Sequence, residues 1–357
     1  MKKTSLYNNH LNLGAKLIPF SGFEMPVNYK KGIMHEYNSV RKDCGIFDVS
    51  HMGQFFIAGK NAYEFLQKVT INDIAKLNNY DAQYSAMCNH DGGIIDDLIL
   101  YKCPNGYFMV VNAGNIDKNL DWLNKNIQGD VEIKNHSSET SLIAIQGPKI
   151  RHFLSQIIPE EMLHINFYSY QNIKLFNHDI MLSRTGYTGE LGFELYGAHE
   201  PIIKVWEKLI SLGVSPCGLA CRDILRMEMK YCLYGNDINE NTTPIEAGLS
   251  WITAMNKEGF IGKDKLIKSS RNHKLVAFKM LDRGIPRKNY EIQLNGAKIG
   301  YVTSGTQSFE LGVGIGLGYV DTSHSSFDNN IDIVIRDKEF KAKIIKPPFL
   351  KNTSLLK

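Results

Sequence analysis

Apolar positions along this chain fall into two rhythms. Between residues 32 and 42 Ile33, Tyr37 and Val40 recur at helical spacing, which predicts a helix there. Residues 54–57 read as an extended run and 62–69 as a short helix. From Tyr84 the rhythm shortens to strands over 84–88, 94–102 and 107–111, separated by Asn89-His90-Asp91-Gly92-Gly93 and Pro104-Asn105-Gly106 turns. This is an antiparallel meander. Asn115 is placed to cap a helix carrying Ile116, Leu120, Leu123 and Ile127, and 141–146 is a strand stopped by Gly147-Pro148.

Residues 150–158 read as helix, 173–183 as one strand, 192–196 as its partner across a glycine-rich turn, and 201–212 as helix. Pro216-Cys217-Gly218 introduces a further helix to about Tyr234, ending at Gly235. Residues 256–273 are polar and lysine-rich, which places a domain boundary there. Beyond it, 274–281, 291–294, 297–303, 316–320, 332–336 and 339–345 are short strands set off by Gly, Asn and Asp turns, the pattern of a small barrel or sandwich. The expectation is an α+β chain, with residues 1–268 as one region and 269–357 as an all-β domain.

Composition narrows the function classes. The 357 residues are 43% hydrophobic and 22% charged, which excludes disorder as the main state. The 41 basic and 37 acidic side chains leave a net charge of +4, too balanced for a nucleic-acid-binding protein. Six cysteines without a CxxC pair argue against a disulfide framework or zinc knuckle. Cys217 and Cys221 are four apart, but no His or second Cys pair lies near them in sequence, so no metal is expected. With no signal-peptide pattern and no apolar run near the roughly 20 residues of a membrane span, the expected location is the cytoplasm.

Three segments carry candidate chemistry. Asp96 and Asp97 stand side by side in Ile94-Ile95-Asp96-Asp97-Leu98-Ile99-Leu100, a strand apolar on both faces. Alternation sends one Asp to the face of Ile95, Ile99 and Tyr101 and the other to that of Ile94, Leu98 and Leu100. A buried ionised carboxylate is costly unless paired, hydrogen-bonded or protonated, so the pair points to a specific partner or to function. The second segment repeats glycine every third residue at Gly186, Gly189 and Gly192, but a strand follows rather than a helix, so it is no dinucleotide fingerprint. It suits a tight loop that brings Tyr187 against a flat ligand, with Glu194 able to accept two parallel hydrogen bonds from a pterin or guanine edge. In the third, Arg222 and Arg226 share one helix face and favour anions nearby, either protein acids or a ligand carboxylate at Arg226. Met52, His51 and Asn112 are open between core and site on physics alone.

Taken together the chain resembles the glycine cleavage T-protein, or aminomethyltransferase, family. The resembling pieces are F-S-G-F-E-M-P-V at 20–27, G-I-F-D-V-S-H-M-G at 45–53, D-G-G-I-I-D-D-L-I at 91–99 and V-V-N-A-G-N at 110–115. They continue with I-Q-G-P at 145–148, S-R-T-G-Y-T-G-E-L-G-F-E at 183–194, Y-G-N-D-I-N-E-N-T-T-P-I-E-A-G-L-S-W at 234–251, and Y-V-T-S-G and P-P-F in the tail. The resemblance implies three subdomains around a folate channel, the last an all-β barrel. It also implies a reaction in which the aminomethyl group on the lipoyl arm of the H-protein becomes 5,10-methylenetetrahydrofolate, with ammonia released.

Carried onto this sequence, the family's catalytic aspartate falls on the Asp96-Asp97 pair, with Asp97 favoured by its spacing to Asn112. Glu194 is implied for the pterin amine edge and Tyr187 for lining the pterin. Met52, Tyr84 and Asn112 are implied as channel walls, and Arg226 and Arg287 as partners of the folate carboxylates or holders of the pocket acids. Tetrahydrofolate is the implied co-substrate and the lipoylated H-protein the implied partner. A non-catalytic folate-binding paralogue in iron-sulfur assembly carries K-G-C-Y-x-G-Q-E, which is absent from Lys230-Tyr231-Cys232-Leu233-Tyr234-Gly235-Asn236-Asp237. A folate-dependent demethylase on the same scaffold is the other alternative.

Overall fold

The computed structural model describes residues 1–268 and 272–357. The boundary expected between 268 and 269 touches residues outside those described. The predicted meander is the centre of a five-stranded antiparallel sheet in the order Ala82–Cys88, Ile94–Cys103, Gly106–Val111, Gly53–Ala58, Glu132–Asn135. Ala62–Val69 and Ile116–Asn126 are amphipathic helices whose Phe65, Leu66, Val69 and Leu123 bury against Leu98, Leu100 and Met109 on one face of this sheet.

A six-stranded sheet runs in the order Tyr170–Leu175, His178–Ser183, Gly192–Ala198, Thr140–Gln146, Gly45–Asp48, Ser215–Pro216. Ile202, Val205, Trp206 and Leu209 of the helix His199–Ser211 cover one face. The two sheets meet through Phe47, Tyr101, Val110, Leu142, Ala144, Tyr170 and Tyr196, joined there by Leu225 of the helix Leu219–Glu228. The aromatic members are tied by polar tips, Tyr101 Oη lying 3.1 Å from Tyr196 Oη and 3.2 Å from Thr185 Oγ1.

From His273 onward six strands close a barrel in the order His273–Met280, Gly314–Asp321, Ala297–Gln307, Glu291–Leu294, Asn330–Ile335, Lys338–Ile345. The alternation that predicted these strands places Phe278, Ile292, Val302, Ile333 and Ile344 in its interior. Leu275, Ala277, Ile315 and Leu317 point outward and bury against Ala86, Cys88, Ile94 and Met227. Barrel and meander therefore share a core.

Three elements depart from expectation. Residues 173–183 are not one strand but a hairpin, Tyr170–Leu175 with His178–Ser183, because Phe176 and Asn177 adopt positive φ of 52° and 63° and reverse the chain. The helix expected to reach Tyr234 stops at Glu228. Arg226 Nη1 donates to Tyr231 O at 3.0 Å, Lys230 turns left-handed at φ 59°, and Asp237 receives Leu233 N–H at 2.9 Å, so the polar groups of 226–237 fold the chain back. Asn115 makes no capping hydrogen bond, its side chain being drawn to Asp96 instead.

Glu228 is a buried hub. It accepts Tyr37 Oη at 2.9 Å, Arg41 Nη2 at 2.6 Å and Ser308 Oγ at 2.6 Å. Arg41 Nη1 also holds Glu190 Oε1 at 2.8 Å and Thr188 O at 2.7 Å. Glu190 Oε2 in turn receives Ser354 N at 2.9 Å and Oγ at 2.5 Å, and Arg184 Nη2 donates to Leu355 O at 2.8 Å. Paired in this way, the charges fix the loop 184–191 against the helix 219–228, the barrel and the tail.

Candidate active site

A bulge decides where the two aspartates point. Ala86 pairs with Asp97 and Met87 with Asp96, but Cys88 pairs with Ile94, leaving Ile95 as the extra residue. Asp97 thus shares a face with Ile94 and Ile99, whereas Asp96 joins Ile95, Leu98 and Leu100 beneath the helices. Strict alternation had grouped Asp97 with Ile95 and Asp96 with Ile94; the inserted residue reverses both.

Asp96 is fully buried. Its Oδ1 accepts Asn112 Nδ2 at 2.8 Å and Asn115 Nδ2 at 2.7 Å, and its Oδ2 accepts Asn112 N at 3.1 Å and Asn119 Nδ2 at 2.5 Å. Asp97 is half-buried, with Oδ2 accepting Tyr84 Oη at 2.9 Å and Oδ1 accepting Asn112 Nδ2 at 2.8 Å. Among the described residues neither carboxylate has an ion-pair partner. Burial raises the proton affinity of both, and each asparagine amide pulls it back.

Opposite lies the glycine-repeat loop. Gly186 and Gly192 flank the side chain of Gln146, where a Cβ would come within 2.2 and 2.3 Å of its amide atoms. Thr188 Oγ1 then donates to Gln146 Oε1 at 2.8 Å. This clamp presents Tyr187, whose Oη donates to Cys232 O and whose ring stacks on Tyr231 at 5.7 Å. The Arg222 guanidinium lies 4.5 Å from the Tyr187 ring centroid, and its Nη1 is buried with no partner among the described residues. Glu194 is buried, with Oε2 accepting Thr185 Oγ1 at 2.5 Å. Burial raises the Glu194 carboxyl, against which Thr185 and the Arg222 charge work. His51 is buried and packed edge-on against Phe20 and Phe23; burial lowers its imidazole to about 4, so it is neutral.

Of the predicted residues, Asp97, Tyr84 and Asn112 are joined by hydrogen bonds, and Tyr187 lies within the electrostatic reach of Arg226, Asp97 and Arg222. Glu194 faces Arg222. Met52 is half-buried against the Tyr101 and Tyr196 core. Arg226 shares the helix face of Arg222 but is taken up by protein groups. It is buried, donating from Nε to Asp223 at 2.8 Å, from Nη1 to Asp237 at 2.6 Å and from Nη2 to Ser304 at 2.9 Å. Of the two roles the sequence left open for it, holding acids is the one its contacts describe. Arg287 is exposed on a barrel loop and donates to Gly305 O at 3.2 Å.

Arg222 was missed as a site residue although the Arg222-Arg226 spacing carried the signal for a nearby anion. Periodicity could not say which of two arginines on one face was satisfied internally. Trp251 was missed too: it is largely exposed and packs at 5.9 Å from the Tyr84 ring. The arrangement offers a carboxylate free of cations, an aromatic wall, a guanidinium with a spare donor and a second acid.

Residues 6–257 match the family described as the GCVT N-terminal domain, and 273–351 the glycine cleavage T-protein C-terminal barrel domain. The aminomethyltransferase of Flavobacterium psychrophilum is 47% identical, covering 98% of this chain and 100% of its own, and that of Halothermothrix orenii is 44% identical at the same coverages. The chain belongs to the aminomethyltransferase family of glycine cleavage T-proteins. The crystal structure of glycine cleavage system aminomethyltransferase T from Bartonella henselae superposes with a TM-score of 0.93 at 31% identity, covering 99% of both chains. The α+β fold with its closed C-terminal barrel is thus that of an aminomethyltransferase. Among the described residues of this family member no cluster fit to hold a metal occurs, and no helix is long and apolar enough to cross a membrane.

Proposed function

We infer that the pocket bounded by Asp97, Tyr187, Glu194 and Arg222 is where this chain carries out aminomethyl transfer to tetrahydrofolate. The chain is a tetrahydrofolate-dependent aminomethyltransferase of glycine cleavage. Tetrahydrofolate fits the unsatisfied groups: the unpartnered Arg222 Nη1 wants an acceptor, Glu194 wants paired N–H donors, and Tyr187 offers a ring face. The co-substrate supplies the nitrogen nucleophile that takes up the one-carbon unit.

The protein's own part is orientation and electrostatics. Glu194 and Arg222 fix the flat ring by its polar edge, and Met52, Tyr84 and Asn112 wall the channel. Asp97 then presents a negative charge, out of contact with any cation among the described residues, to the carbon that becomes positively charged as ammonia leaves. That uncompensated carboxylate is the observation that carries the assignment. The donor on this reading is the lipoylated H-protein, returned as its dihydrolipoyl form, and the compartment is the cytoplasm. Region 1–268 supplies the pocket. Region 269–357 braces it through Ser304 on Arg226 and Ser308 on Glu228.

The test is ammonia release from aminomethylated H-protein with and without added tetrahydrofolate. Release that depends on folate is the expected result; none, from a folded preparation, overturns the assignment. Two variants probe the ring's polar edge. Glu194→Gln removes a charged hydrogen bond of about 1.5–3 kcal/mol, so folate affinity measured by fluorescence titration falls roughly ten- to a hundredfold. Arg222→Ala has a similar effect on affinity with little change in the thermal midpoint, since its buried Nη1 has no hydrogen-bond partner among the described residues. A thermal midpoint that collapses with Arg222 would make it a structural residue.

A further inference from the structure

We propose that Asp96 is a positioning residue for the transfer: through the one Asn112 amide that both carboxylates share, its fixed negative charge sets the state of Asp97 and deepens the field in which positive charge develops. The inference rests on the assignment of Asp97 as the reacting carboxylate.

Neighbours on a regular strand point to opposite faces, so Asp96 and Asp97 have no geometric reason to interact. Asn112 supplies one. It stands where Gly106–Val111 gives way to the turn before Ile116–Asn126, and its Nδ2 lies 2.8 Å from an oxygen of each aspartate. An amide nitrogen has two hydrogens, one for each carboxylate. Removing or neutralising one partner therefore frees the amide to reorient on the other.

The donor set at Asp96 also decides its charge. All four contacts come from N–H groups, two on each oxygen, so a proton on Asp96 would be directed at another hydrogen. Asp97 has one O–H and one N–H donor. Burial and the Asp97 charge push Asp96 up to about 7, and burial pushes Asp97 up as well, so the pair holds its first proton more tightly than a lone aspartate. The donor set, N–H groups only at Asp96, favours the charged form of Asp96 over that of Asp97.

The other acid whose charge reaches Asp97 is Asp237, from the segment after the helix 219–228, and it is paired with Arg226 at 2.6 Å. Burial pushes Cys232 up to about 12 and raises Tyr84, Tyr187 and Tyr234, so all four are neutral around neutral pH. Lys118, on the helix above, is engaged by Glu240 at 3.0 Å. Among these groups Asp96 alone is an anion with no cation beside it. A buried carboxylate held only by neutral amides is a poor structural device, because a neutral network of the same shape avoids the desolvation of a charge.

The experiment is the pH profile of folate-dependent ammonia release by the full chain and two variants, with tetrahydrofolate binding as the check on folding. In Asp96→Asn the acid limb of kcat/KM moves down by about one pH unit or more, since Asp97 no longer faces a negative neighbour, and the plateau falls roughly tenfold. In Asn115→Ala the limb moves up instead, because Asp96 loses one amide, takes a proton more readily and switches its own charge off. Opposite shifts support the proposal. A limb unmoved in both, or moved the same way in both, overturns it while leaving folate-dependent release intact. Should Asp96→Asn not fold, the Asn115→Ala profile decides alone. Absence of folate-dependent release in the unaltered chain is a different failure and falls on the assignment of function.

Discussion

Asp97→Asn is expected to lower folate-dependent ammonia release by on the order of 10² or more while folate binding and the thermal midpoint stay close to those of the unaltered chain. The amide has the shape of the carboxylate and can still accept the Tyr84 hydroxyl, so the hydrogen-bonded frame of Tyr84 and Asn112 has a partner of the right size. What goes is the charge. In a half-buried site a negative group beside a forming cation is worth more than the same group in water. The measurement is turnover at saturating folate, alongside a binding titration. Turnover within about tenfold of the starting level would remove Asp97 as the reacting carboxylate.

Arg226→Ala acts on the fold instead. It strips the cation from Asp237, which is fully buried and also receives Thr303 Oγ1 at 2.5 Å, and it unpins Ser304 of the barrel from the helix 219–228. Losing one partner of such a pair costs about 3–5 kcal/mol, because the remaining charge stays desolvated. The expected result is a large drop in the urea midpoint, with folate affinity of the surviving folded protein within a few-fold. Normal unfolding with lost folate affinity would return Arg226 to the ligand.

The barrel was legible because its strands alternate cleanly between Gly, Asn and Asp turns, and a closed sheet has few other ways to bury that pattern. The Asp96-Asp97 pair was legible as a conflict, two charges in an apolar strand. What resolved the conflict was not, since Asn115 and Asn119 come from the turn before a later helix and from that helix, and the bulge at Ile95 leaves no mark in local composition. The hairpin at Phe176-Asn177 was hidden because its turn lacks glycine and proline. Arg226 and Arg287 were carried over by resemblance. Burial and exposure, which separate a pinned arginine from one on a surface loop, are properties of the folded molecule.

The tail contacts at Glu190 and Glu228 bear on the order of assembly. Ser354, Phe349 and Leu355 hold Glu190, Glu228 O and Arg184, residues made more than a hundred positions earlier. On a ribosome the two sheets can pair before these segments exist, but the loop that presents Tyr187 waits for them, and the long closures come last. A nascent chain stalled after the barrel strands would have its meander and its aspartates in place, yet hold folate poorly.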